Sequence, residues 1–291
     1  MMPKRLRSVI IGTTGLCNAS CIHCPTGKPE TAHLPKRVMP LELFESIVRQ
    51  IAKNGWSVQY NLSLGLFGDG LLDPFVVQRC EIARRWLPDA PLAINTNGAA
   101  YNRERHLPLV DLVRSISLHV ESLRPEIYDH IMQPLRFERV FPQMQRILQD
   151  FGPKVTPGTP LHRLNFGERD AFLSFFKGAG AREVHFAALS NRCSKSSAFD
   201  AMSFAPMSAP CRSEIATDLI VDWDAQVLLC CNDFKKEMPV GDFATQDLGE
   251  VLADRRRHDA VADLVAQNIG HLKTCTNCKW DKIDPELIGV H

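Results

Sequence analysis

The sequence predicts an α/β fold of parallel βαβ units, followed by a smaller and differently built carboxyl-terminal segment. Strand-like and helix-like segments alternate along the first two thirds of the 291 residues. A stretch rich in Ala, Ser, Pro and Met at 199–210 then interrupts this alternation. Hydrophobic residues make up 45% and charged residues 23%, which is typical of soluble globular proteins. We therefore predict two domains, at residues 1–205 and 206–291.

The predicted strands of the first domain are short apolar runs, and helical patterns separate them. Pro40 suits the first turn of a helix over 40–53, in which apolar residues recur on one face. Further helices are predicted at 75–86, 139–151 and 168–177. Six strands alternating with helices favour a parallel arrangement, either an open sheet or a partial barrel. The predicted strands are 8–12, 61–67, 92–94, 115–120, 161–165 and 183–189.

The second domain is predicted to begin with a β-hairpin. Apolar runs at 218–221 and 226–229 flank Asp222-Trp223-Asp224-Ala225, which has the composition of a turn. A helical pattern follows at 248–266. The predicted domain is therefore a hairpin followed by a helix.

The charge balance and the apolar runs exclude several classes of function. Lys and Arg together number 34 and Asp and Glu 33, so the chain lacks the basic excess typical of nucleic-acid-binding proteins. No apolar run approaches the roughly 20 residues that cross a bilayer. The apolar run after the basic amino terminus is too short for a signal peptide. We expect a cytoplasmic protein with no nucleic-acid or membrane partner.

Cys17, Cys21 and Cys24 form the first of two cysteine clusters in this chain of ten cysteines. In a reducing compartment, clustered cysteines are more often metal ligands than disulfides. Their C-x3-C-x2-C spacing, directly after the first strand, places three thiolates around one small centre. Three ligands suit a [4Fe–4S] cluster that leaves one iron open. A zinc site with a distant fourth ligand is the alternative.

The segment from Cys17 to Cys24, CNASCIHC, resembles the signature of the radical S-adenosylmethionine (SAM) enzymes. His23 occupies the position before the third cysteine, where that family has an aromatic residue or His beside the cofactor. The resemblance implies a partial (β/α)6 TIM-like barrel and a [4Fe–4S] cluster whose open iron binds SAM. It also implies SAM cleavage to a 5′-deoxyadenosyl radical that abstracts a hydrogen atom, with flavodoxin or ferredoxin as the electron donor.

The resemblance extends to positions that contact SAM in the family. Gly68 and Asp69 begin a Gly-Asp-Gly turn that resembles the family's Gly-Glu-Pro segment, although Asp reaches one methylene less than Glu. Asn97 belongs to a Thr-Asn-Gly sequence that resembles the end of the family's third strand. Ser117 matches a SAM-contacting serine of the fourth strand, and Arg163, late on the predicted fifth strand, matches a partner for the SAM carboxylate.

A second group of cysteines lies near the carboxyl end. Cys275 and Cys278 form C-x2-C, while Cys211 and the pair Cys230-Cys231 precede them. One pair and two single cysteines give four ligands, enough for a closed site. Spacing alone leaves zinc and iron–sulfur equally open.

The hairpin segment from Asp222 to Asp233 resembles the SPASM/Twitch auxiliary-cluster domains of radical SAM enzymes. This resemblance implies a second [4Fe–4S] cluster held by four of the cysteines. The family pattern places the ligand first in the cysteine pair, which favours Cys230 over Cys231. The implied ligands are Cys211, Cys230, Cys275 and Cys278.

The expected reaction follows from the second cluster. A fully ligated cluster can accept one electron, and the chain resembles radical SAM dehydrogenases with one Twitch cluster that oxidise an aminocyclitol alcohol to a ketone. Arg192 resembles a residue at the substrate and could help remove the hydroxyl proton, or it could be a surface ion-pair partner. The short segment before the first strand favours a small polar substrate.

Three other functions remain open from the sequence. If Cys193 faces the substrate radical, its thiol could return a hydrogen atom, and the enzyme would be an epimerase of a sugar-like substrate. Burial of a cysteine at a strand end is the interpretation of Cys193 that its residue type favours. A third possibility is modification of a peptide. Outside enzymology, the cysteines could build a zinc-ribbon interaction module on an α/β domain.

Overall fold

Six parallel strands form the centre of the fold in the computed structural model, which describes residues 4–208 and 213–291. They pair in chain order, each with the next, as the strands of a partial TIM-like barrel do. Their residue ranges are β1 (Arg5–Ile11), β2 (Ser57–Leu64), β3 (Leu92–Thr96), β4 (Ser115–His119), β5 (Val155–Leu161) and β6 (His185–Ala188).

Helices connect these strands and cover the outside of the sheet. In the first of them, Phe44, Ile47 and Ile51 are fully buried on the apolar face that the sequence predicts. Burying each such side chain contributes about 1.5–3 kcal/mol. The helices are α1 (Leu41–Lys53), α2 (Val76–Trp86), α3 (Arg103–His106), α4 (Leu109–Leu112), α5 (Pro125–Ile131), α6 (Phe137–Phe151), α7 (Arg169–Gly178) and α8 (Ser197–Met202).

The carboxyl-terminal segment extends the same sheet. Its elements are β7 (Pro206–Met207), β8 (Leu219–Val221), β9 (Gln226–Leu228), β10 (Pro239–Asp242), α9 (Leu248–Ala253), α10 (Arg255–Val265), α11 (Lys273–Thr276), β11 (Trp280–Asp281) and β12 (Gly289–Val290). The predicted hairpin is present as β8 and β9, and β8 pairs in parallel with β1. The sheet order is therefore β10-β9-β8-β1-β2-β3-β4-β5-β6-β12, while β7 and β11 form a separate pair.

The fifth strand departs most from the sequence prediction. It ends at Leu161, where the predicted strand begins. The actual strand contains Pro157, Gly158 and Pro160, residue types that are depleted in strands, so its composition hides it. It is nevertheless a central strand, because β4 and β6 pair with its two edges.

Two further boundaries differ from the prediction. The helix predicted at 248–266 is broken at Asp254, whose ψ of 128° is not helical. The Asp254 side chain accepts from the backbone N–H of Arg256 and caps α10. The predicted linker at 199–210 contains the end of α8 and the short strand β7.

No helix within the described ranges is both long and apolar enough to span a bilayer. The parallel order of β1–β6 brings their carboxyl ends to one rim. Loops at this rim carry the first cysteine cluster, the Gly-Asp-Gly turn and Arg192, so distant sequence segments meet there.

Candidate cofactor and substrate site

Two adjoining cavities of about 360 and 320 Å³ lie inside the barrel rim. Their shared walls include His23, Ser117, His119, Arg192 and Phe234. The smaller of the two is lined by the first cysteine cluster, and the larger continues towards β5, β6 and the loop after β9. Both are concave spaces with mixed polar and apolar walls at the strand ends, where barrel enzymes place their active sites.

Cys17, Cys21 and Cys24 all line the 320 Å³ cavity. Burial raises the pKa of Cys17 to about 11 and that of Cys21 well above its usual range. Their thiolate forms therefore need a compensating cation, which a bound iron–sulfur cluster supplies.

Gly68 is required where the loop after β2 crosses the cysteine loop. A Cβ at this position would lie 2.4 Å from the carbonyl oxygen of Thr14 and 2.6 Å from that of Leu16. Only glycine permits this approach of two backbones, and it forms one wall of the cavity.

Asp69 connects the loops after β2 and β3. Its buried carboxylate accepts hydrogen bonds from the Thr96 hydroxyl at 2.9 Å, the Asn97 backbone N–H at 2.7 Å and the Leu71 backbone N–H at 3.0 Å. Burial raises the pKa of Asp69, and these hydrogen bonds oppose the rise. Asp69 lines the cavity, as its predicted role requires, but its oxygens are already engaged by protein donors.

Asn97 and Ser117 both line the 320 Å³ cavity, as their predicted roles require. The Asn97 side-chain amide donates to the Asn18 side chain at 2.8 Å and so links the end of β3 to the cysteine loop. Ser117 lies on β4 and borders both cavities. Together with His23, Gly68 and Asp69, the structure brings five of the six predicted SAM residues to one cavity.

Arg163 is the sixth predicted SAM residue, and the structure places it elsewhere. It lies beyond the end of β5 and donates to the backbone carbonyls of Ser203 at 2.6 Å and Phe204 at 3.3 Å. It lines neither cavity. The strand boundary accounts for this placement, because β5 ends at Leu161 and residue 163 lies in the following loop instead of on a strand over 161–165.

Arg192 is the arginine that enters the cavity. Its Nη1 lies 3.3 Å from Cys24 Sγ, and its guanidinium lies 5.4 Å from the centre of the Phe234 ring. Burial by itself lowers the pKa of Arg192, but Cys24 and Cys21 raise it by more. The net effect is a raised pKa. The predicted alternative of a surface ion-pair partner is wrong, because this side chain faces the cysteine cluster.

Glu121 is a buried carboxylate that the sequence reasoning missed. Its Oε1 lies 2.7 Å from His119 Nε2 and 3.1 Å from His23 Nε2, and its Oε2 lies 3.2 Å from His162 Nε2. His119 and Glu121 follow Ser117 at alternate positions, so the strand alternation could have revealed them. His162 lies beyond the end of β5, and no sequence pattern connects it with Glu121.

His23 supports the fit of a cofactor. It is buried, and its Nε2 lies 3.1 Å from Glu121 Oε1, but its Nδ1 has no hydrogen-bond partner among the described residues. A buried polar atom without a partner is costly and rare in a folded protein. Three thiols and the unpartnered Nδ1 of His23 line one cavity, so the residues fit a cluster with a polar cofactor.

A separate apolar cavity gathers four thiols. Cys193, Cys230, Cys275 and Cys278 line it together with Leu229 and other apolar residues. A hydrogen bond from Cys193 lowers the pKa of Cys278 to about 7, against the effect of burial. Cys211, the fourth predicted ligand, lies outside the described residues. The chemistry of this thiol set fits a second iron–sulfur cluster.

Cys193 is therefore not at the substrate cavity with Arg192, as the epimerase alternative required. Arg192 and Cys193 have φ of 50° and 57°, so the backbone turns sharply and successive side chains enter different cavities. The Asn191 side chain holds this turn by accepting from the backbone N–H groups of Cys193 at 3.0 Å and Lys279 at 2.9 Å. It also donates to the Asn277 carbonyl at 2.6 Å.

Cys230 and Cys231 point to different cavities. Cys230 lines the apolar thiol cavity, which agrees with the choice of the first cysteine of the pair as ligand. Cys231 is exposed and lines the 360 Å³ cavity rather than being buried behind the hairpin.

Solved structures with a similar fold cover nearly the whole chain. "Crystal structure of BtrN in complex with AdoMet and 2-DOIA" matches with a TM-score of 0.66 and 16% identity over 95% of this chain and 94% of that one. The AdoMet-bound anSMEcpe gives 0.66 and 14% over 88% and 79%. Streptococcus suis SuiB bound to precursor peptide SuiA gives 0.69 and 14% over 89% and 67%.

Two family models match consecutive parts of the chain. A search of curated proteins found no significant match. The model of the iron–sulfur cluster-binding domain SPASM matches residues 211–279, so auxiliary iron–sulfur binding belongs to this segment. The model of the Radical SAM superfamily matches residues 11–176, more than half of the chain. The protein is therefore an enzyme of the radical SAM superfamily, with a [4Fe–4S] cluster and SAM as cofactors.

Proposed function

We propose that this enzyme oxidises an alcohol carbon of a small carbohydrate or aminocyclitol to a ketone, with the auxiliary cluster as the one-electron acceptor. One observation carries the proposal. The dipeptide Arg192-Cys193 contacts Cys24 of the first cluster with one side chain and Cys278 of the second thiol set with the other. The substrate cavity therefore lies beside a short covalent link between the two cluster sites.

Each group has a defined part in this reaction. When bound, the first cluster and SAM supply a radical that removes one hydrogen atom from the substrate carbon. Cys17, Cys21 and Cys24 would hold that cluster. His23, Gly68, Asp69, Asn97 and Ser117 would surround SAM. Conversion to the ketone then needs the loss of one proton and one electron from the substrate.

The second thiol set supports an oxidation. An epimerisation returns a hydrogen atom and is redox-neutral, so it needs no electron acceptor beside the substrate. Cys230, Cys275 and Cys278, with Cys211 or Cys193, would hold an acceptor without leaving an iron open for substrate. A flavodoxin or ferredoxin would reduce the first cluster.

The cavity supports a small polar substrate. Its volume of about 360 Å³ lies at the lower end of the range of small-molecule sites. BtrN, of similar fold, was crystallised with 2-DOIA, and SuiB with a precursor peptide. We prefer the small substrate and retain peptide modification as the alternative.

Cys231 favours epimerisation as a second candidate function. It is the exposed cysteine that lines the 360 Å³ cavity. A thiol there could give its hydrogen atom to a substrate radical from the hairpin side. In the epimerase alternative, the hydrogen-atom donor is therefore Cys231 instead of Cys193.

Turnover in D2O separates these functions. Anaerobically reconstituted, dithionite-reduced enzyme is incubated with SAM and either 2-DOIA or a panel of cyclitols and sugars with secondary alcohols. Oxidation gives a ketone in proportion to 5′-deoxyadenosine, with no deuterium on recovered substrate carbon. Epimerisation gives a carbon-bound deuterium that disappears in Cys231→Ala. If no member of the panel yields a ketone, the proposed oxidation is wrong.

A further inference from the structure

Glu121 is surrounded by three imidazoles at the end of β4. It is fully buried, as is His162, while His23 is nearly so. His119 differs, because 33% of its side chain is exposed and it borders both cavities. One member of this buried cluster therefore reaches the space where a substrate would bind.

Hydrogen bonds define the protonation pattern of the cluster. The His162 Nδ1 accepts from the backbone N–H of Leu164 at 3.2 Å, so its Nε2 carries the hydrogen that faces Glu121. Burial by itself raises the pKa of Glu121, but the neighbouring histidines lower it by more. The pKa of Glu121 therefore lies well below its usual range. Glu121 is therefore an anion that accepts hydrogen bonds from imidazole N–H groups.

This pattern orients His119 for proton transfer. Its Nε2 donates to Glu121 Oε1 at 2.7 Å, which leaves Nδ1 with the lone pair. No hydrogen bond to His119 Nδ1 comes from any residue in the ranges 4–208 and 213–291. A carboxylate that fixes the tautomer of an imidazole and stabilises its protonated form is the arrangement that makes histidine an effective general base.

We infer that His119 is the catalytic base that accepts the substrate hydroxyl proton, with Glu121 as its positioning residue. The inference rests on the proposed alcohol oxidation. After a hydrogen atom has left the carbon, the O–H bond breaks and its proton moves to His119 Nδ1. The remaining unpaired electron passes to the auxiliary iron–sulfur cluster, and the C–O bond becomes C=O.

Other polar groups at the cavity are less suited to this role. Arg192 remains protonated and has no lone pair to offer. Asp69 already accepts three hydrogen bonds from the protein. His185 faces the same space across Gly158, which pairs with both His119 and His185, but it has no carboxylate partner among the described residues.

The test compares holoenzyme variants with wild type on 2-DOIA and the same panel of secondary alcohols. His119→Gln and His119→Ala remove the base, and Glu121→Gln removes its partner. His258→Gln, an exposed histidine of α10, is the matched control. Iron content and substrate-free 5′-deoxyadenosine formation verify that each variant is folded and loaded.

We expect ketone formation to fall at least 100-fold in both His119 variants, the lower range for loss of a general base. The control should stay within twofold. Added imidazole should restore part of the activity of His119→Ala but none in Glu121→Gln, which a purely structural role would not produce. The number of 5′-deoxyadenosine molecules per ketone should rise in the His119 variants.

Two results overturn the inference. If wild type forms a ketone and His119→Gln forms it within threefold of the wild-type rate, His119 is not the base although the proposed function stands. If wild type forms no ketone from any compound, the proposed oxidation fails, and the role of His119 falls with it.

Discussion

The Arg192 Nη1 lies 3.3 Å from the Sγ of Cys24, the third cysteine of the C-x3-C-x2-C motif. A fixed positive charge next to a cluster ligand stabilises the more negative, reduced state of the cluster. Because the adjacent Cys193 enters the second thiol cavity, this charge lies on the chain segment that joins the two sites.

Arg192→Gln should therefore lower the reduction potential of the first cluster. We expect a shift of about 60 mV, the one-electron equivalent of a tenfold change in the equilibrium constant. Redox titration followed by electron paramagnetic resonance (EPR) measures it. Arg163→Gln is the matched control, because Arg163 contacts only backbone carbonyls away from the cavity. Equal potentials in the two variants would exclude an electrostatic role for Arg192.

Cys230→Ala and Cys231→Ala should differ in iron content. Cys230 lines the second thiol cavity, so its loss should remove roughly half of the iron bound by two [4Fe–4S] clusters. Cys231 faces the large cavity, and Cys231→Ala should retain the full content. Iron and acid-labile sulfide are measured after anaerobic reconstitution. The reverse result would show that the second cysteine of the pair is the ligand.

Gly68→Ala should damage the SAM site more than Gly167→Ala. The added methyl would press on the Thr14 and Leu16 carbonyls at Gly68, whereas nothing lies within 4 Å of the corresponding position at Gly167. Overpacking of this kind costs about 1–3 kcal/mol. We expect a lower Tm and weaker SAM binding in equilibrium dialysis for Gly68→Ala. Similar Tm and Kd values in both variants would contradict the close backbone approach.

His106 should contribute to loss of stability in acid. Burial, helped by Arg105, lowers its pKa to about 4, and its Nδ1 accepts from the Asn102 backbone N–H at 3.0 Å. A histidine whose pKa is lowered by folding stabilises the fold above its unfolded value of about 6.5, and this contribution is lost as the pH falls towards 4.

Between pH 7 and pH 5, the free energy of unfolding should fall by about 2 kcal/mol through His106, because its pKa differs between the unfolded and folded states. Anaerobic urea unfolding at both pH values measures it, and His106→Gln should show a smaller drop than wild type. His258→Gln, with an exposed ring, should behave as wild type. An equal drop in wild type and His106→Gln would show that His106 does not titrate on unfolding in this range.

Local chemistry was readable from the sequence because covalent spacing controls it. The C-x3-C-x2-C segment after a strand fixes three thiols around one centre, and the Gly-Asp-Gly turn and Asn97 follow two neighbouring parallel strands. Parallel order then brings these loops to one rim, which the structure confirms. The six-stranded core and the hairpin that precedes the last cysteines were predicted from apolar runs and turn residues, which are also local features of the sequence.

Contacts between distant segments could be decided only by the tertiary structure. Arg192 rather than Arg163 enters the cavity, because β5 ends at Leu161 and Arg163 lies in the loop that follows. The prolines of β5 concealed this boundary in the sequence. The left-handed turn at Arg192-Cys193, held by Asn191, sends Cys193 to the second thiol set. The pairing of His119, His23 and His162 with Glu121 joins three loops. Spacing along the chain carries no information on such dihedral angles or long-range packing, so these features appear only once the chain is folded.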